Sequence, residues 1–519
     1  VVQRYLDQLN ALIGRAEPVT LDTKALATHF TSDLLIPFTL VDELTLDEYA
    51  RLIERLPVSS PLQVYATTRR YYPYGSSAAH VLGRVGVDPK VEIEDFHDDL
   101  RTFTFPGIVG DDGLEKQFNA ELEGQAGGRI LLVDPHGYTL KKDLPERKPV
   151  QGKSITTSLD IELQQLAEEA IDDQKGAAVM LDVNTGEVLV LANKPDYDLN
   201  DVSPRISTAK YNEIQEKGGW YFGAIKGLYP PGSTFKILTS IAGLRSGALT
   251  PDKILVDCDG VITVSGRKFY CSNGAGHHHE ITLAEAIARS CDIYFYKAGE
   301  AITPQVMAAE GRRFGMFQKT GIELPNETNG MMIPEPEWKK RVQHESWYIG
   351  DTYNMSIGQG AVLVSPLEMA TFIASVARNE TRTKPTLLHN PNAPRQQSES
   401  IGLTAEQRAA LIKGMEGTVL FGTASQTLNS ARMQDINVAN LRMAAKTGTA
   451  QKNVMINGEL GTINFAWFVG FAPADNPQVA FAVMIENDEF GTFEGGRNAA
   501  PIAAKMVKRY FEKKNPPAA

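Results

Sequence analysis

The residues best suited to chemistry in this sequence are Ser233 and Lys236, in the stretch P-P-G-S-T-F-K at 230–236. A serine three residues before a lysine places the hydroxyl and the amine on one face of a helical turn. The prolines ahead of them are typical of a helix start, where backbone N–H groups and the helix dipole lie near the hydroxyl. A serine hydroxyl needs a neighbouring base, and a lysine becomes one when its pKa is lowered. This spacing also occurs by chance in many helices.

Two further motifs follow in sequence order. Ser290 and Asp292 form an S-x-D stretch, in which the serine can relay a proton and the carboxylate can hold Lys236. Lys446 opens the stretch K-T-G-T, where it would supply a cation for a substrate carboxylate. Gly448 in that stretch would let a strand backbone approach the substrate closely. S-x-x-K, then S-x-N or S-x-D, then K-T-G resembles the motif set of penicillin-binding proteins and class A β-lactamases.

The composition is that of an ordinary folded protein with two or more domains. Of the 519 residues, 42% are hydrophobic and 22% are charged, which argues against a disordered chain. The net charge of −11 argues against a nucleic-acid scaffold. The sequence contains no run of about 18 apolar residues, so it predicts no membrane span. Because the chain begins at Val1 without a signal peptide, we expect a fragment that lacks its front end.

The motifs lie in a second region, 153–519, for which the apolar pattern predicts an antiparallel sheet covered by helices. Apolar runs at 176–181 and 187–192, joined by a polar loop ending in glycine, predict a β-hairpin. A second strand pair is predicted at 466–471 and 479–485. Strands at both ends of the region with helices between them predict an α+β fold.

The first region, 1–152, contains no recognisable catalytic constellation. It predicts a surface helix at 46–56, with a capping box in which Thr45 is the cap. His80 and Glu115 are expected to be structural polar residues rather than catalysts.

Residues 150–519 resemble the transpeptidase domain of the penicillin-binding proteins, which implies a serine β-lactamase-like fold. Besides the three motifs, the resemblance rests on S-I-G-Q-G at 356–360, S-P-L-E-M-A at 365–370 and G-M-E-G-T-V at 414–419. The first region contains the stretches R-x-Y-P, A-A-H-V-L-G and G-L-E. These resemble the non-catalytic, dimerisation-type pedestal of class B members, truncated at its front.

Within class B the chain resembles the elongation-type group. Asp292 ends the second motif where division-type members carry Asn, and the tail contains F-E-G-G-R-N-A-A-P-I at 493–502. The resemblance implies a monofunctional peptidoglycan D,D-transpeptidase that β-lactams inhibit. It places the enzyme at the bacterial inner membrane, facing the periplasm, with a single N-terminal anchor that this chain lacks. It also implies a RodA-type glycan polymerase and an MreC-type scaffold as partners, and no nucleic acid.

The mechanism that the resemblance implies is acyl transfer from stem peptides ending in D-Ala-D-Ala. Lys236 would take the proton of Ser233 during attack on the penultimate carbonyl. Ser290 and Asp292 would orient Lys236 and hand the proton to the leaving D-Ala. The backbone N–H groups of Ser233 and Thr449 would hold the oxyanion, and no cofactor is expected for catalysis. The residues implied to bind the substrate are Lys446, Thr447, Gly448 and Thr449.

Three cysteines, Cys258, Cys271 and Cys291, lie in one short stretch with three consecutive histidines. One interpretation is a disulfide plus a spare thiol in an oxidising compartment, beside a solvated polar loop. The other is a structural Zn²⁺ site, because thiols, imidazoles and a carboxylate suit tetrahedral zinc. The arrangement resembles that of some elongation-type relatives, which hold zinc with an Asp, a second acidic or Cys ligand, a His and a Cys. On that pattern the expected ligands are Asp257, Cys271, His278 and Cys291, with Cys258 and His277 as the close alternatives.

Three other functions share part of this motif set. A serine β-lactamase shares S-x-x-K and K-T-G, but it needs an activated deacylating water and is usually a shorter chain without a pedestal. A D,D-carboxypeptidase runs the same first half-reaction and gives the acyl group to water. A β-lactam-binding sensor would be catalytically idle and would carry a long transmembrane portion. Labelled penicillin separates the first of these, because rapid turnover indicates a lactamase and a long-lived adduct indicates a penicillin-binding protein.

Overall fold

The structure is a computed structural model that describes residues 2–32, 37–41, 43–57, 60–64, 69–88, 107–134, 139–141, 144–271, 277–329, 332–430, 433, 438–456, 459–487 and 493–515. The chain divides into two compact units. The first unit comprises Val1–Tyr71, Val85–Val109 and Phe118–Ser154. The second unit comprises Tyr72–Arg84, Gly110–Gln117 and Ile155–Ala519. The predicted boundary after residue 152 lies close to Ile155, but two segments that the prediction assigned to the first region belong to the second unit.

The reason for this difference is that the first of these segments packs into an apolar cluster of the second unit, and the second segment packs against the first through α4 (Ala79–Leu82) and α5 (Gly113–Gln117). Tyr72 and Ala79 are buried in an apolar cluster with Tyr197. His80 is also buried, and its Nε2 lies 2.6 Å from the carbonyl oxygen of Gly219. A buried ring with a satisfied nitrogen is a structural histidine, as the sequence predicted. The stretches that resemble a pedestal therefore belong in part to the second unit.

The part of the chain before Ile155 forms helices and short antiparallel strand pairs. Its helices are α1 (Val2–Ile13), α2 (Thr23–Ser32), α3 (Leu46–Arg55), α4 (Ala79–Leu82), α5 (Gly113–Gln117) and α6 (Asn119–Leu122). Its strands are β1 (Val85–Asp88), β2 (Gly107–Gly110), β3 (Gly128–Arg129), β4 (Leu132–Val133), β5 (Thr139–Lys141) and β6 (Glu146–Arg147). The predicted capping box of α3 is confirmed, because the Thr45 hydroxyl accepts from Glu48 N and the Glu48 carboxylate accepts from Thr45 N.

The remaining elements belong to the second unit. Its helices are α7 (Ile161–Ile171), α8 (Leu199–Val202), α9 (Thr208–Lys217), α10 (Gly223–Lys226), α11 (Lys236–Ser246), α12 (Leu283–Ala288), α13 (Asp292–Ile302), α14 (Pro304–Arg313), α15 (Pro336–Val342), α16 (Ile349–Ser356), α17 (Pro366–Arg378), α18 (Ala405–Leu420), α19 (Ser425–Leu428), α20 (Val438–Leu441) and α21 (Ala500–Lys514). Its strands are β7 (Lys175–Asp182), β8 (Val188–Lys194), β9 (Asp257–Asp259), β10 (Val261–Val264), β11 (Arg267–Tyr270), β12 (His277–Glu280), β13 (Ala444–Ile456), β14 (Glu459–Ala472) and β15 (Val479–Asn487).

The core of the second unit is a five-stranded antiparallel sheet in the order β13-β14-β15-β7-β8 among the described strands. Both predicted strand pairs are confirmed, β7 with β8 and β14 with β15. Helices α7 and α21 cover one face, where Phe468 and Phe481 stack with ring centroids 5.7 Å apart. Helix α17 packs against the same strands and carries a fully buried run of side chains. This is the expected α+β architecture, and it leaves β13, which carries K-T-G-T, at an edge.

The described residues include no helix that combines the length and the apolarity needed to cross a membrane.

Acidification is expected to destabilise the second unit through His80. Burial lowers the pKa of His80 from 6.5 to about 4, because the imidazolium would lose its hydration. Its neutral form is therefore favoured in the folded state. The contribution is complete above pH 6.5, falls as the pH drops towards 4, and amounts to roughly 3 kcal/mol in all. Denaturant unfolding at several pH values measures this change in the free energy of unfolding.

A pair of matched variants tests the assignment to His80. His80→Asn removes the titrating ring, so its free energy of unfolding should fall less between pH 6.5 and 4 than that of the wild type. His344→Asn serves as the control, because His344 is exposed, and it should keep the wild-type pH dependence. Identical pH slopes for His80→Asn and the wild type would contradict the prediction.

Candidate active site

Ser233 lies in a short 3-10 turn, Gly232–Phe235, that runs directly into α11. Gly232 has a φ of 55°, and a Cβ there would lie 2.8 Å from the carbonyl oxygen of Thr449. Its N–H donates to the carbonyl of Gly358 at 2.9 Å, so the S-I-G-Q-G stretch at 356–360 is hydrogen-bonded to the turn. Ser233 is half-buried, and within the described part of the chain its hydroxyl makes no hydrogen bond. The serine is therefore accessible and presented beside the K-T-G-T strand.

Lys236 is completely buried, and its amine is surrounded by three oxygen atoms. Its Nζ donates to the carbonyl of Ser290 at 2.9 Å, to the Ser290 hydroxyl at 3.1 Å and to Asp292 Oδ1 at 2.6 Å. The ring of Phe295 lies 5.2 Å from the same nitrogen. A buried amine of this kind requires partners for its N–H groups and a counter-charge. The structure therefore brings Lys236, Ser290 and Asp292 together, as the sequence predicted.

Ser290 lies in the junction between α12 and α13 and adopts a left-handed conformation with a φ of 56°. A non-glycine residue in that region costs about 1–2 kcal/mol, and such strain concentrates at functional sites. The turn is held because the N–H of Ser290 donates to Ile287 and that of Cys291 donates to Ala286. It directs both the carbonyl and the hydroxyl of Ser290 at Lys236.

Lys446, the cation expected to meet a substrate carboxylate, lies in the interior, close enough to Lys236 and Asp292 to interact with them electrostatically. It is completely buried, and its Nζ donates to the carbonyl of Thr447 at 3.1 Å. Burial lowers the pKa of Lys446 well below 10.5, and the nearby Lys236 lowers it further. Both effects disfavour the protonated form of the amine. Thr447 is almost buried and Thr449 is exposed, so the hydroxyls of the motif lie nearer to the solvent than its lysine.

Gly448 is needed for packing against the nucleophile turn. A Cβ at Gly448 would lie 2.8 Å from the carbonyl oxygen of Pro231 and 2.9 Å from Thr234 Cγ2. Trp467, its partner on β14, donates its indole N–H to the carbonyl of Pro230 at 3.0 Å. The sequence predicted that Gly448 lets a substrate come close to the strand. The structure shows that the turn carrying Ser233 also packs against Gly448, which the sequence did not reveal.

Two contributors to the site were missed by the sequence reasoning. The F-E-G-G stretch forms a π-helical turn, Gly495–Ala499, in which a Cβ at Gly495 would lie 2.6 Å from the carbonyl oxygen of Gly448. Thr423 lies outside the three motifs, and its hydroxyl is 2.5 Å from the hydroxyl of Thr447. The glycine pair was a possible signal, since adjacent glycines often mark a close backbone approach. Nothing in the sequence distinguishes Thr423 from other threonines.

The three cysteines and one histidine converge beside the second motif. The ligand atoms of Cys258, Cys271, His278 and Cys291 all lie within 4.8 Å of one another. The Cys271 sulfur is 3.5 Å from His278 Nδ1 and 3.8 Å from the Cys291 sulfur, and the Cys258 sulfur is 3.8 Å from His278 Nδ1. Tetrahedral zinc with bonds of about 2.0–2.3 Å separates its ligand atoms by about 3.5–3.8 Å. None of the three cysteines forms a disulfide within the described part of the chain, and the donor set fits a tetrahedral metal ion.

Asp257, one of the four expected ligands, is not part of this group. Successive side chains of a strand point to opposite faces, so in β9 Cys258 is buried and Asp257 is exposed. Asp257 Oδ1 instead lies 3.7 Å from the exposed ring of His279. The structure therefore corrects the expected set: Cys258, the close alternative, replaces Asp257. His278 is the histidine in the group rather than His277.

The cysteine cluster adjoins the turn between α12 and α13 that carries Ser290. Cys291 caps α13, because its sulfur accepts the N–H of Tyr294 at 3.5 Å. The contact between the Cys271 and Cys291 sulfurs lowers the pKa of the Cys271 thiol and raises the pKa of the Cys291 thiol. A lowered thiol pKa favours the thiolate, the form that binds metals. Cys291 directly follows Ser290, so the two sites share one turn.

Comparisons with known proteins agree with this geometry. The family described as the penicillin binding protein transpeptidase domain matches residues 176–508, and the penicillin-binding protein dimerisation domain matches residues 3–157. The chain is 31% identical over 478 residues to the peptidoglycan D,D-transpeptidase MrdA of Acinetobacter baumannii. That alignment covers 86% of this chain and 67% of the relative.

Solved structures give the same result. A complex between the penicillin-binding protein PBP2 and MreC from Helicobacter pylori matches with a TM-score of 0.76 and 26% identity, covering 99% of this chain and 91% of that one. A structure concerned with coordination of polymerization and crosslinking by a peptidoglycan synthase complex matches with a TM-score of 0.71 and 27% identity, covering 96% and 87%. The resemblance expected from the motifs is confirmed by these matches.

Removal of the Asp292 charge should destabilise the second unit even where a hydrogen-bond acceptor is kept. Asp292→Ala leaves the buried amine of Lys236 without its counter-charge, which typically costs about 3–5 kcal/mol. Asp292→Asn keeps an oxygen acceptor at the same place but also removes the charge, so it should lose most of the same amount. Denaturant unfolding of the wild type and the two variants measures these losses in the free energy of unfolding. A loss below about 1 kcal/mol in Asp292→Asn would show that Lys236 needs an acceptor from Asp292 and not its charge.

Proposed function

This chain belongs to the penicillin-binding proteins that carry a transpeptidase domain, and we propose that it is a peptidoglycan D,D-transpeptidase. It cross-links stem peptides through a serine acyl-enzyme, and β-lactams inhibit it by acylating the same serine. The observation that carries this proposal is the convergence of three distant segments. An accessible Ser233 precedes a buried Lys236, which Ser290 and Asp292 hold, beside the edge strand that carries K-T-G-T.

Acylation uses the residues that the geometry brings together. Ser233 Oγ attacks the penultimate carbonyl of D-Ala-D-Ala, and the neutral form of Lys236 accepts the hydroxyl proton. The oxyanion is held by backbone N–H groups of Ser233 and Thr449, whose segments lie in contact through Gly232. The Ser290 hydroxyl, 3.1 Å from Lys236 Nζ, is placed to pass the proton to the departing amine of D-Ala as the amide bond breaks.

Deacylation completes the cross-link. The amine of a second stem peptide attacks the ester on Ser233, the C–O bond to the serine breaks, and the proton returns along the same route. A new amide joins the two peptides and restores the serine hydroxyl. A D,D-carboxypeptidase differs in giving the acyl group to water. The relative from Acinetobacter baumannii is a D,D-transpeptidase, which favours the amine as acceptor.

Ser233→Ala should abolish the covalent penicillin adduct while the protein stays folded, because the substitution removes the attacking oxygen. Intact-mass spectrometry after incubation with benzylpenicillin measures the adduct, and thermal unfolding checks the fold. Ser246→Ala, at the exposed end of the same helix, is the matched control and should acylate fully. Full acylation of Ser233→Ala would overturn the assignment, and rapid loss of the wild-type adduct would indicate a β-lactamase.

We propose an MreC-type scaffold and a RodA-type glycan polymerase as partners. The Helicobacter pylori relative was solved with MreC, and a second similar structure concerns a peptidoglycan synthase complex. Because the substrate is the cell wall, we place the catalytic unit in the periplasm, attached to the inner membrane by a single N-terminal anchor.

We also propose that Cys258, Cys271, His278 and Cys291 hold a structural zinc ion. All four ligand positions would be filled by protein, which is typical of structural rather than catalytic zinc. The bound ion would cross-link β9, the β11 end, β12 and the start of α13. Because Cys291 follows Ser290, this cross-link would stabilise the strained turn that holds Lys236.

Zinc content and a matched pair of variants test this proposal. Elemental analysis of protein purified without a histidine tag should give about one zinc per chain. Cys258→Ser should lose most of the zinc and lower the melting temperature, whereas Asp257→Asn on the same strand should retain both. Chelation should slow acylation of Ser233, because the turn at Ser290 loosens. Zinc near zero, or a mapped disulfide between two of the cysteines, would overturn the proposal, and zinc loss only in Asp257→Asn would restore the original ligand set.

A further inference from the structure

We propose that Thr423 is a positioning residue for the carboxylate of the substrate or β-lactam. Its hydroxyl donates to the hydroxyl of Thr447, which leaves the Thr447 hydrogen available for the carboxylate. This inference rests on the proposed function, since it assumes that a ligand carboxylate binds along the K-T-G-T strand.

The contact itself is direct. The two hydroxyl oxygens lie 2.5 Å apart, although 24 residues separate them in the sequence. Thr447 is almost buried and Thr423 is exposed, so the pair extends from the strand to the surface. A ligand group bound at the Thr447 hydroxyl would therefore lie close to Thr423.

The backbone around Thr423 is held in place from two sides. The N–H of Thr423 donates to the carbonyl of Ala288 at 3.3 Å, and a Cβ on Gly422 would lie 2.1 Å from that same oxygen. On the other side, a Cβ on Gly496 would lie 2.3 Å from the carbonyl oxygen of Thr423. Thr423 is thus fixed where the end of α12, the K-T-G-T strand and the G-G turn meet. Its hydroxyl is oriented before a ligand binds, which lowers the entropy lost on binding.

The need for such a residue follows from the burial of Lys446. Its amine is directed to the carbonyl of Thr447 and does not reach the surface, so hydroxyls must supply the donors for a carboxylate. A carboxylate only accepts hydrogen bonds, and each threonine has one hydroxyl hydrogen. If Thr447 donated its hydroxyl hydrogen to Thr423, the carboxylate would lose that donor. With Thr423 as the donor, a chain runs from Thr423 through Thr447 to the carboxylate, and its members strengthen one another.

A purely structural role is the competing explanation. In that case the hydroxyl contact only fastens the end of α18 to β13, and its loss affects every ligand alike. A positioning role instead affects ligands that carry the carboxylate and spares those that lack it. The two explanations therefore differ in a measurable way.

The test compares acylation of Ser233 by benzylpenicillin and by its methyl ester, which lacks the charge. Thr423→Val keeps the shape of the side chain and removes the hydroxyl. It should lower the second-order rate constant for benzylpenicillin about tenfold, the upper end for one hydrogen bond between neutral groups. It should change the slower reaction with the methyl ester by less than about twofold, and Thr423→Ser should restore most of the rate with benzylpenicillin.

Thr462→Val is the matched control, because the Thr462 hydroxyl makes a surface contact with Asn453 on the same hairpin. It should leave both rates unchanged. Wild-type rates in Thr423→Val, or equal losses with both ligands, would overturn the inference while leaving the proposed function standing. If the wild-type protein forms no adduct at Ser233 with benzylpenicillin, the proposed function fails, and this inference fails with it.

Discussion

The interaction on which the site depends is the burial of the Lys236 amine among oxygen atoms of Ser290 and Asp292. An amine without water needs acceptors for its N–H groups and a nearby negative charge, and a misplaced partner costs several kcal/mol. Both partners come from one turn between α12 and α13. The buried amine therefore ties α11 to that turn and explains why Ser290 persists in a left-handed conformation. The contacts that stabilise the buried amine also position the groups proposed to transfer the proton.

A second constraint is the close approach of three backbones. Gly232, Gly448 and Gly495 each lie where a Cβ would meet a main-chain oxygen of a neighbouring segment. These contacts bring the nucleophile turn, the edge strand and the π-helical turn together without side chains between them. The indole N–H of Trp467 adds a hydrogen bond from the central sheet to the turn. The nucleophile is therefore positioned by close backbone contacts with a regular strand of the sheet, and precise acyl transfer requires such support.

The cysteine cluster extends this arrangement beyond the catalytic residues. Cys291 is at once the cap of α13, a member of the cluster and the neighbour of Ser290. Its position links Cys258, Cys271 and His278, in the loop carrying β9 to β12, to the turn that holds Lys236. The spacing of the four ligand atoms matches a tetrahedral ion, so one metal would stabilise both the loop and the turn.

Sequence alone predicted what depends on neighbouring residues. Strand pairs follow from apolar runs separated by polar loops, the cap at Thr45 from its own side chain, and the catalytic motifs from short spacings in a set order. It could not predict what depends on segments that are distant in the chain. The orientation of β9 turned Cys258 rather than Asp257 towards the other cysteines. Packing of the sheet edge against other segments buried Lys446 and brought the Thr423 hydroxyl to that of Thr447. Burial and partners arise only when remote segments meet, so the tertiary structure decided which residues of each motif face a ligand.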